Sequence, residues 1–165
     1  LLNSISLKKL YNLSFLIDCW SHIKKNSETS KLIINPPYEL SDQDKTNDIH
    51  LRIKGNKQDL INDLMNSRVM LNPGHKGEVF CLAAEEAREL CVPIVTMGYG
   101  ALYERVEHKK TGFIAKNKDE FIKYSSDILN NDNLFLELKK NLILKRKSRT
   151  YKDVANDFLK LIYES

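Results

Sequence analysis

Residues 69–96, VMLNPGHKGEVFCLAAEEARELCVPIVT, contain the unit on which the fold prediction depends. An apolar run at residues 69–72 precedes a loop, a helical pattern at residues 82–90 and a second apolar run at residues 94–96. Short apolar runs bounded by turn residues predict buried strands, and apolar residues three and four apart predict a helix. A strand, a crossover helix and another strand in this order are typical of a parallel sheet.

The same alternation continues upstream and downstream of this unit. Further strands are predicted at residues 1–6, 31–35, 49–53 and 113–115. Further helices are predicted at residues 13–23, 57–67, 101–106, 118–130, 134–146 and 151–163. Trp20 is expected in the core, and the polar stretch from Pro36 to Asn47 is expected to be a loop. This spacing predicts an α/β fold: a doubly wound parallel sheet of the Rossmann-like type, with helices on both faces.

The bulk composition agrees with a globular domain. Of the 165 residues, 42% are hydrophobic and 29% charged, and the net charge is +4. This mixture excludes a disordered tail, a collagen and a disulfide miniprotein. No apolar run approaches the roughly 18 residues that span a bilayer, and the order of a signal peptide is missing. We therefore expect a cytoplasmic location. A position at the inner face of a membrane is the alternative.

The cysteines and histidines do not indicate a metal site. Cys19, Cys81 and Cys91 form no C-x-x-C pair, are odd in number and lie in apolar contexts. They are expected to be free buried thiols in a reducing compartment rather than disulfides or zinc ligands. The histidines are scattered along the chain, so no metal site is predicted.

Basic residues are concentrated near the end of the chain, at Lys139, Lys140, Lys145, Arg146, Lys147 and Arg149. They alternate with Leu138, Leu142, Ile143 and Leu144, which predicts the solvated face of an amphipathic helix. A peripheral contact with phospholipid stays open. Nucleic acid is not expected as a partner, because no aromatic stacking platform or base-reading motif accompanies the charge.

Glu86 is the first candidate for a functional side chain. In a helix that starts near Cys81, a turn of about 100° per residue places Glu86 between Leu82 and Leu90 on the apolar face. Glu86 is therefore expected to face inward, where an unpaired carboxylate is costly. Two neighbouring hydroxyls of a ribose would satisfy both of its oxygens. A buried backbone N–H or a lysine would do so equally well, and helical spacing alone does not separate these hypotheses.

Glu78 is the second candidate, on the loop between the strand and this helix. Gly74 and Gly77 lie beside it. Such a loop can bring backbone N–H groups and a carboxylate against a ligand whose phosphates rest on a helix N-terminus. A glutamate at this place can also serve only to complement the helix dipole.

These residues resemble a known family. Glu78, the seven residues after it, Glu86, Ala87 and Val92-Pro93-Ile94-Val95 resemble the E-x7-E signature of retaining glycosyltransferases with the GT-B fold, the glycosyl transferases group 1. Residues 100–106 with Thr111-Gly112-Phe113 are similar to that family's G-x-x-x-E-x-V…G-x-T-G-F stretch. Residues 12–20 are similar to its first helix and residues 31–34 to its second strand. The match covers nearly the whole chain, but only the C-terminal, nucleotide-sugar-binding half of such an enzyme.

The resemblance implies roles for individual residues. Glu86 would bind the ribose hydroxyls, and Glu78, as the catalytic residue, would hold the donor sugar and its phosphates together with Val79, Phe80, Cys81 and Leu82. The basic residues that the family places after its first strand align with Ser6 and Tyr11, and Lys8 and Lys9 between them would substitute. His75 and Lys76 share the Glu78 loop and are further candidates for donor binding. Val79, Cys81 and Cys91 stand where the family has glycine.

The function implied by the resemblance is transfer of a hexose from a UDP- or GDP-type donor to a glycan or lipid-linked acceptor. The transfer would retain the configuration of the sugar, and it would need no metal or other cofactor. Residues 1–148 would form the donor-binding domain, and residues 149–165 a helix that packs toward a missing N-terminal half carrying the acceptor. The chain alone would then bind donor weakly and not turn it over. A different hypothesis is a catalytically inactive, Rossmann-like binding module on the same scaffold.

Overall fold

The computed structural model describes residues 12–34, 41–52 and 56–146, and also Lys152, Ala155, Asn156 and Leu159. The elements in chain order are α1 (Leu13–Asn26), β1 (Leu32–Ile34), α2 (Asp42–Thr46), β2 (Ile49–Leu51), α3 (Lys57–Met65), β3 (Met70–Leu71), α4 (Leu82–Glu89), β4 (Ile94–Thr96), α5 (Leu102–Arg105), β5 (Gly112–Ile114), α6 (Lys118–Asn130) and α7 (Asp132–Lys145). The strand predicted at residues 1–6 lies outside the described residues. Of the helix predicted at residues 151–163, only the four residues named above are described, and they are helical.

All described strands pair in parallel. β1 pairs with β2, with Leu32 opposite Ile49. β4 lies between β3 and β5, so that Ile94 stands opposite Met70 on one side and Gly112 on the other. Parallel neighbours require crossover connections, which the helices between the strands supply. The predicted parallel α/β alternation is confirmed.

Helices cover both faces of the sheet that contains β4. Val95 belongs to a core cluster with Trp20 of α1 and Phe121 of α6. Its neighbour Ile94 belongs to a second cluster with Ala87 of α4 and Leu102 of α5. Because successive side chains of a strand point to opposite faces, the two clusters lie on opposite sides of the sheet. The doubly wound, Rossmann-like prediction is confirmed.

Trp20 and the cysteines lie where the sequence predicts them. Trp20 is 2% exposed, and its indole N–H donates to the carbonyl of Asn47 at 2.8 Å. Cys19, Cys81 and Cys91 are buried and free. Burial raises the pKa of the Cys19 thiol to about 12, which keeps it protonated at neutral pH.

The loop predicted from Pro36 to Asn47 is partly wrong, because α2 lies within it. The hydroxyl of Ser41 donates to Oδ2 of Asp44 at 2.7 Å, and the backbone N–H of Ser41 donates to the same oxygen at 2.9 Å. In return, the backbone N–H of Asp44 donates to the Ser41 hydroxyl. This reciprocal capping stabilises a short helix that carries no apolar stripe.

The basic helix predicted at residues 134–146 is present as α7, with Leu138 and Leu142 buried. Three of its cations have partners within the described chain: Lys139 lies over the Phe135 ring, Lys145 pairs with Glu107, and Arg146 pairs with Glu89. Intramolecular pairing agrees with the predicted solvated face of an amphipathic helix. None of the helices in the described ranges is long and apolar enough to cross a membrane.

The end of α4 explains why a glycine is favoured at position 91. Cys91 has a φ of 58°, and its N–H donates to Arg88 O at 3.0 Å, while the N–H of Val92 donates to Ala87 O at 2.8 Å. These two bonds form a Schellman motif, whose left-handed residue is usually glycine because a Cβ is strained there. Cys91 therefore keeps the backbone of a glycine at a conformational cost.

We expect Cys91→Gly to be more stable to denaturant than Cys91→Ala by roughly 1 kcal/mol. Both variants remove the thiol, so their difference isolates the cost of a Cβ at a φ of 58°. Urea unfolding of the two proteins measures this difference. Equal midpoints, or a more stable alanine variant, would show that the left-handed conformation is not strained here.

Candidate functional site

Two loops meet at the carboxyl ends of neighbouring strands. Residues 73–81 follow β3 and residues 97–101 follow β4. The N–H of Ala101 donates to Glu78 O at 2.9 Å, and the N–H of Met97 donates to Pro73 O at 3.4 Å. The carboxyl edge of a parallel sheet is the usual place for a ligand in this class of fold.

Gly100 allows the closest approach between these loops. It has a φ of 57°, and a Cβ built on it would lie 2.3 Å from the carbonyl oxygen of Glu78. No side chain fits that space without moving the backbone. Glu78 is therefore held by contact with Gly100 as well as by the hydrogen bond to Ala101.

Two asparagine side chains hold the loop of residues 73–81. Asn72 lies directly after β3, and Asn12 lies at the start of α1. The side-chain oxygen of Asn72 accepts from the N–H of Gly74 at 3.0 Å, and its Nδ2 donates to Sγ of Cys81 at 3.2 Å. Nδ2 of Asn12 donates to Gly74 O at 2.9 Å, which brings the start of α1 to this loop. The candidates Lys8 and Lys9 lie outside the described residues.

His75 and Glu78 face each other across a turn, as their shared loop predicts. Nε2 of His75 lies 3.6 Å from Oε2 of Glu78, an ion-pair distance when the ring is protonated. The N–H of Gly77 donates to Nδ1 of His75 at 3.1 Å, which places the proton of the neutral ring on Nε2, toward Glu78. Lys76, at the tip of the turn, is exposed.

The prediction that Glu86 faces inward is wrong. Glu86 is exposed, and so is Leu82, whereas Ala84 and Ala87 are the buried residues of α4. The face of α4 that packs against the sheet consists of alanines, whose small side chains allow a close approach. The opposite face, with Leu82 and Glu86, therefore points outward. Within the described part of the chain the Glu86 carboxylate makes no hydrogen bond or ion pair. The hypothesis that it satisfies a buried N–H or a lysine finds no support there.

Glu85, next to Glu86, lies against two arginines. Its Oε1 pairs with Nη2 of Arg88 at 2.5 Å, and its Oε2 lies 3.5 Å from Nε of Arg105. That second oxygen is buried and accepts no hydrogen bond from the described residues. The adjacent glutamates thus differ in environment: Glu85 joins α4 to α5, whereas Glu86 has no partner in the part of the chain that the structure describes.

Large apolar side chains are exposed near the start of α4 and on α5. Val79 is 90% exposed, Phe80 51% and Leu82 70%, and Tyr103 of α5 is 68% exposed. We call these four residues the apolar rim. Where large exposed apolar side chains form a patch, they mark a contact with a ligand or another protein surface more often than chance.

The two helices that start at these loops, and α1 beside the first loop, lack side-chain caps. The N-caps of α1, α4 and α5 are Asn12, Cys81 and Ala101, and none makes a side-chain cap hydrogen bond. By contrast, asparagine side chains cap α3, α6 and α7. The first N–H groups of α4 are therefore not satisfied by a cap, which is the arrangement that binds anions.

Cys81 adopts a backbone conformation that is more usual for glycine. Its φ is 56°, in the left-handed region, immediately before the first residue of α4. Burial raises the pKa of its thiol, so the group stays neutral beside the loop. Val79, two residues earlier, has a side chain that projects into solvent.

No local sequence pattern indicates a role for Arg105 or Tyr103, or the contact between Gly100 and Glu78. Arg105 and Tyr103 lie in a helix of four residues, too short for a periodicity signal. The position of Gly100 in a loop after a strand was the one available indication of a close backbone approach.

Comparisons with known proteins show the family and the fold of this chain. The family model described as glycosyl transferases group 1 matches residues 1–149. No curated protein sequence matches significantly. Among solved structures, a mutant of S. aureus TarM in complex with fondaparinux, alpha-GlcNAc-glycerol and UDP is similar with a TM-score of 0.68, at 18% identity over 92% of this chain and 33% of that one. A second TarM structure gives a TM-score of 0.70 at 18% identity, over 92% of this chain and 32% of that one.

The likeness to the TarM structures shows the fold, which is the Rossmann-like fold of GT-B glycosyltransferases. This chain spans about a third of the length of those proteins. The family model, in contrast, covers most of the chain and includes both loops, α4 and α5. On that match, the chain belongs to the family of glycosyl transferases group 1.

Proposed function

We propose that this chain is the nucleotide-sugar-binding part of a retaining glycosyltransferase of the E-x7-E type. The observation that carries the proposal is the exposed carboxylate of Glu86, which has no partner among the described residues, on the helix whose start is uncapped. A carboxylate accepts two hydrogen bonds from a ribose diol, and an uncapped helix start donates to phosphate oxygens. Both groups belong to one short helix at the carboxyl edge of the sheet, so a single nucleoside diphosphate can contact both.

Glu78 and the basic side chains around it are proposed to act on the other end of the donor. Glu78, as the catalytic residue, would contact the donor sugar, with its backbone held by Ala101 and Gly100. His75, Lys76, Lys8 and Lys9 would face the phosphates together with the backbone of residues 79–82. As the bond to the sugar breaks, negative charge builds on the departing nucleoside diphosphate, and these donors and cations stabilise it. The proposal assigns this role to the chain itself, without a metal or other cofactor.

The donor class and the acceptor follow from the family rather than from the geometry. We propose a UDP- or GDP-type donor carrying a hexose, and a glycan or lipid-linked acceptor held by a further domain. One of the similar TarM structures contains UDP, which is a nucleoside diphosphate of the proposed class. Packing of residues 149–165 toward that further domain, a cytoplasmic location and a peripheral membrane contact belong to the same proposal.

A second candidate is an inactive binding module on the same scaffold. The observation that favours it is Val79, which is 90% exposed where the family has glycine. A side chain at this position limits how closely a ligand approaches the backbone. This candidate predicts that donors do not bind, whereas the first predicts that they do.

Isothermal titration of the chain with UDP, GDP and their hexose conjugates tests the proposal. We expect at least one of these ligands to bind with a Kd of about 1 mM, because only part of the enzyme surrounds it. Uridine and guanosine are the matched controls, and they should bind more weakly because they lack the phosphates. Absence of heat for every nucleotide, or equal affinity for nucleoside and nucleotide, would contradict the proposal.

A further inference from the structure

Arg105 joins parts of the site that are separate in the sequence. Its side chain is 19% exposed and its guanidinium lies 4.4 Å from the centroid of the Phe80 ring. Its Nε donates to Phe80 O at 3.4 Å, and the same atom lies 3.5 Å from Oε2 of Glu85. One side chain from the end of α5 thus contacts both the loop before α4 and the first turn of α4.

The environment of Glu85 explains why this contact should persist. Its Oε2 is buried and accepts no hydrogen bond from the described residues. A buried carboxylate oxygen without a hydrogen bond is unfavourable unless a cation lies near it. Arg105 supplies that positive charge, and its planar group stacks on Phe80 at the same time.

Cys81 lies between the two groups that Arg105 holds. Its left-handed φ of 56° sets the direction in which α4 leaves the loop, and its side chain makes no cap hydrogen bond that would fix this direction. Its carbonyl oxygen accepts the N–H groups of Ala84 and Glu85 at 3.1 and 3.2 Å. Contacts on either side of Cys81 therefore restrict the start of the helix.

We propose that Arg105 is a positioning residue for the nucleoside diphosphate: by holding Phe80 and Glu85, it fixes the first turn of α4. This inference rests on the proposed function, since it assigns the residue that orders the phosphate-facing helix start. Arg105 acts through the loop and the helix, and no contact of its own with the ligand is required.

Two substitutions of Arg105 separate its contributions. Arg105→Met keeps an apolar contact with Phe80 but removes the charge and the N–H donor. Arg105→Lys keeps a charge near Glu85 but loses the planar stacking group and Nε. Arg68→Met is the matched control, because Arg68 also lies over a ring, that of Phe135 at 4.6 Å, and also donates to a carbonyl, that of Ile128 at 3.1 Å.

Amide hydrogen exchange without ligand tests the inference. We expect Arg105→Met to accelerate exchange at Ala84 and Glu85 about tenfold, since a charged contact and a cation–π contact are lost. Exchange should stay unchanged at Met70 and Ala115, whose N–H groups donate to Pro93 O and Thr96 O within the sheet. Arg105→Lys should restore part of the protection, and Arg68→Met should leave Ala84 and Glu85 unaffected.

Titration of the same variants with UDP and GDP completes the test. Affinity is expected to fall about tenfold in Arg105→Met and to stay unchanged in Arg68→Met. Unchanged exchange at Ala84 and Glu85, or equal acceleration at all amides, would overturn the positioning role. If the unsubstituted chain binds neither nucleotide, the proposed function fails instead, and the exchange data still decide whether Arg105 orders the helix start.

Discussion

Replacement of Glu86 by glutamine is expected to abolish binding of nucleoside diphosphates and to leave the thermal unfolding of the chain unchanged. The carboxylate is exposed and unpaired within the described residues, so its loss removes no contact of the folded state. The amide loses the negative charge and one of the acceptors for a ribose diol. A charged hydrogen bond contributes about 1.5–3 kcal/mol, so affinity should fall at least tenfold, below detection for a weak ligand.

Glu137→Gln is the control for this substitution. Glu137 is an exposed glutamate on α7 that belongs to neither loop of the site. Calorimetry and thermal denaturation of both variants should show loss of binding only for Glu86→Gln, and the same melting temperature for both. A melting temperature lowered only in Glu86→Gln would assign this side chain a structural role instead.

Alanine at Gly100 is expected to give the largest loss of stability among single substitutions at the site. The new Cβ would lie 2.3 Å from Glu78 O, at a φ of 57° that already disfavours a side chain. Because the obstacle is backbone, one of the two loops must move. We expect the free energy of unfolding to fall by at least about 2 kcal/mol, with loss of nucleotide binding as Glu78 is displaced. Urea unfolding and calorimetry measure the two effects.

Gly77→Ala is the matched control in the same loop. A Cβ at Gly77 would meet only ring atoms of His75, at 3.4 Å, which is an ordinary contact. Its effect on unfolding should therefore stay within about 0.5 kcal/mol. If Gly100→Ala unfolds at the same urea concentration as Gly77→Ala, the close contact between the two loops does not hold Glu78.

Local sequence patterns were sufficient to predict most of the strands and helices. The run from Val92 to Thr96 predicts β4 with its observed bounds, because a proline and β-branched residues exclude a helix there. The prediction failed at α2, where Pro36-Pro37 and polar composition suggested only a loop. The signal that could have found it is Ser41 followed three residues later by Asp44, whose side chains cap each other across the first turn.

The loop and the helix that carry the candidate residues were predicted from the sequence, but the orientation of Glu86 was not. The spacing of Glu78 and Glu86 located the loop and helix, yet the burial of α4 was assigned to Leu82 rather than to alanines. Hydrophobic periodicity gives weight to large side chains, whereas close packing of a helix on a sheet favours small ones. The orientation of Glu86 therefore depends on tertiary packing.

Contacts between distant segments account for what the sequence could not predict. The contact of Gly100 with Glu78 depends on the pairing of β3 with β4. The contacts of Arg105 with Phe80 and Glu85 depend on the same pairing. No local pattern in a helix of four residues indicates which loop its side chains will meet. The same contacts shape the face on which the function is proposed.

The central claim is that a nucleoside diphosphate binds across the start of α4, from the Glu78 loop to Glu86. A titration of the isotope-labelled chain with UDP and GDP, followed by NMR, tests it most directly. We predict that the backbone amides of residues 78–84 and 86 shift with added nucleotide, while those of α6 and α7 do not. Shifts confined to the surface between α1 and α6, or no shifts at millimolar nucleotide, would contradict the claim.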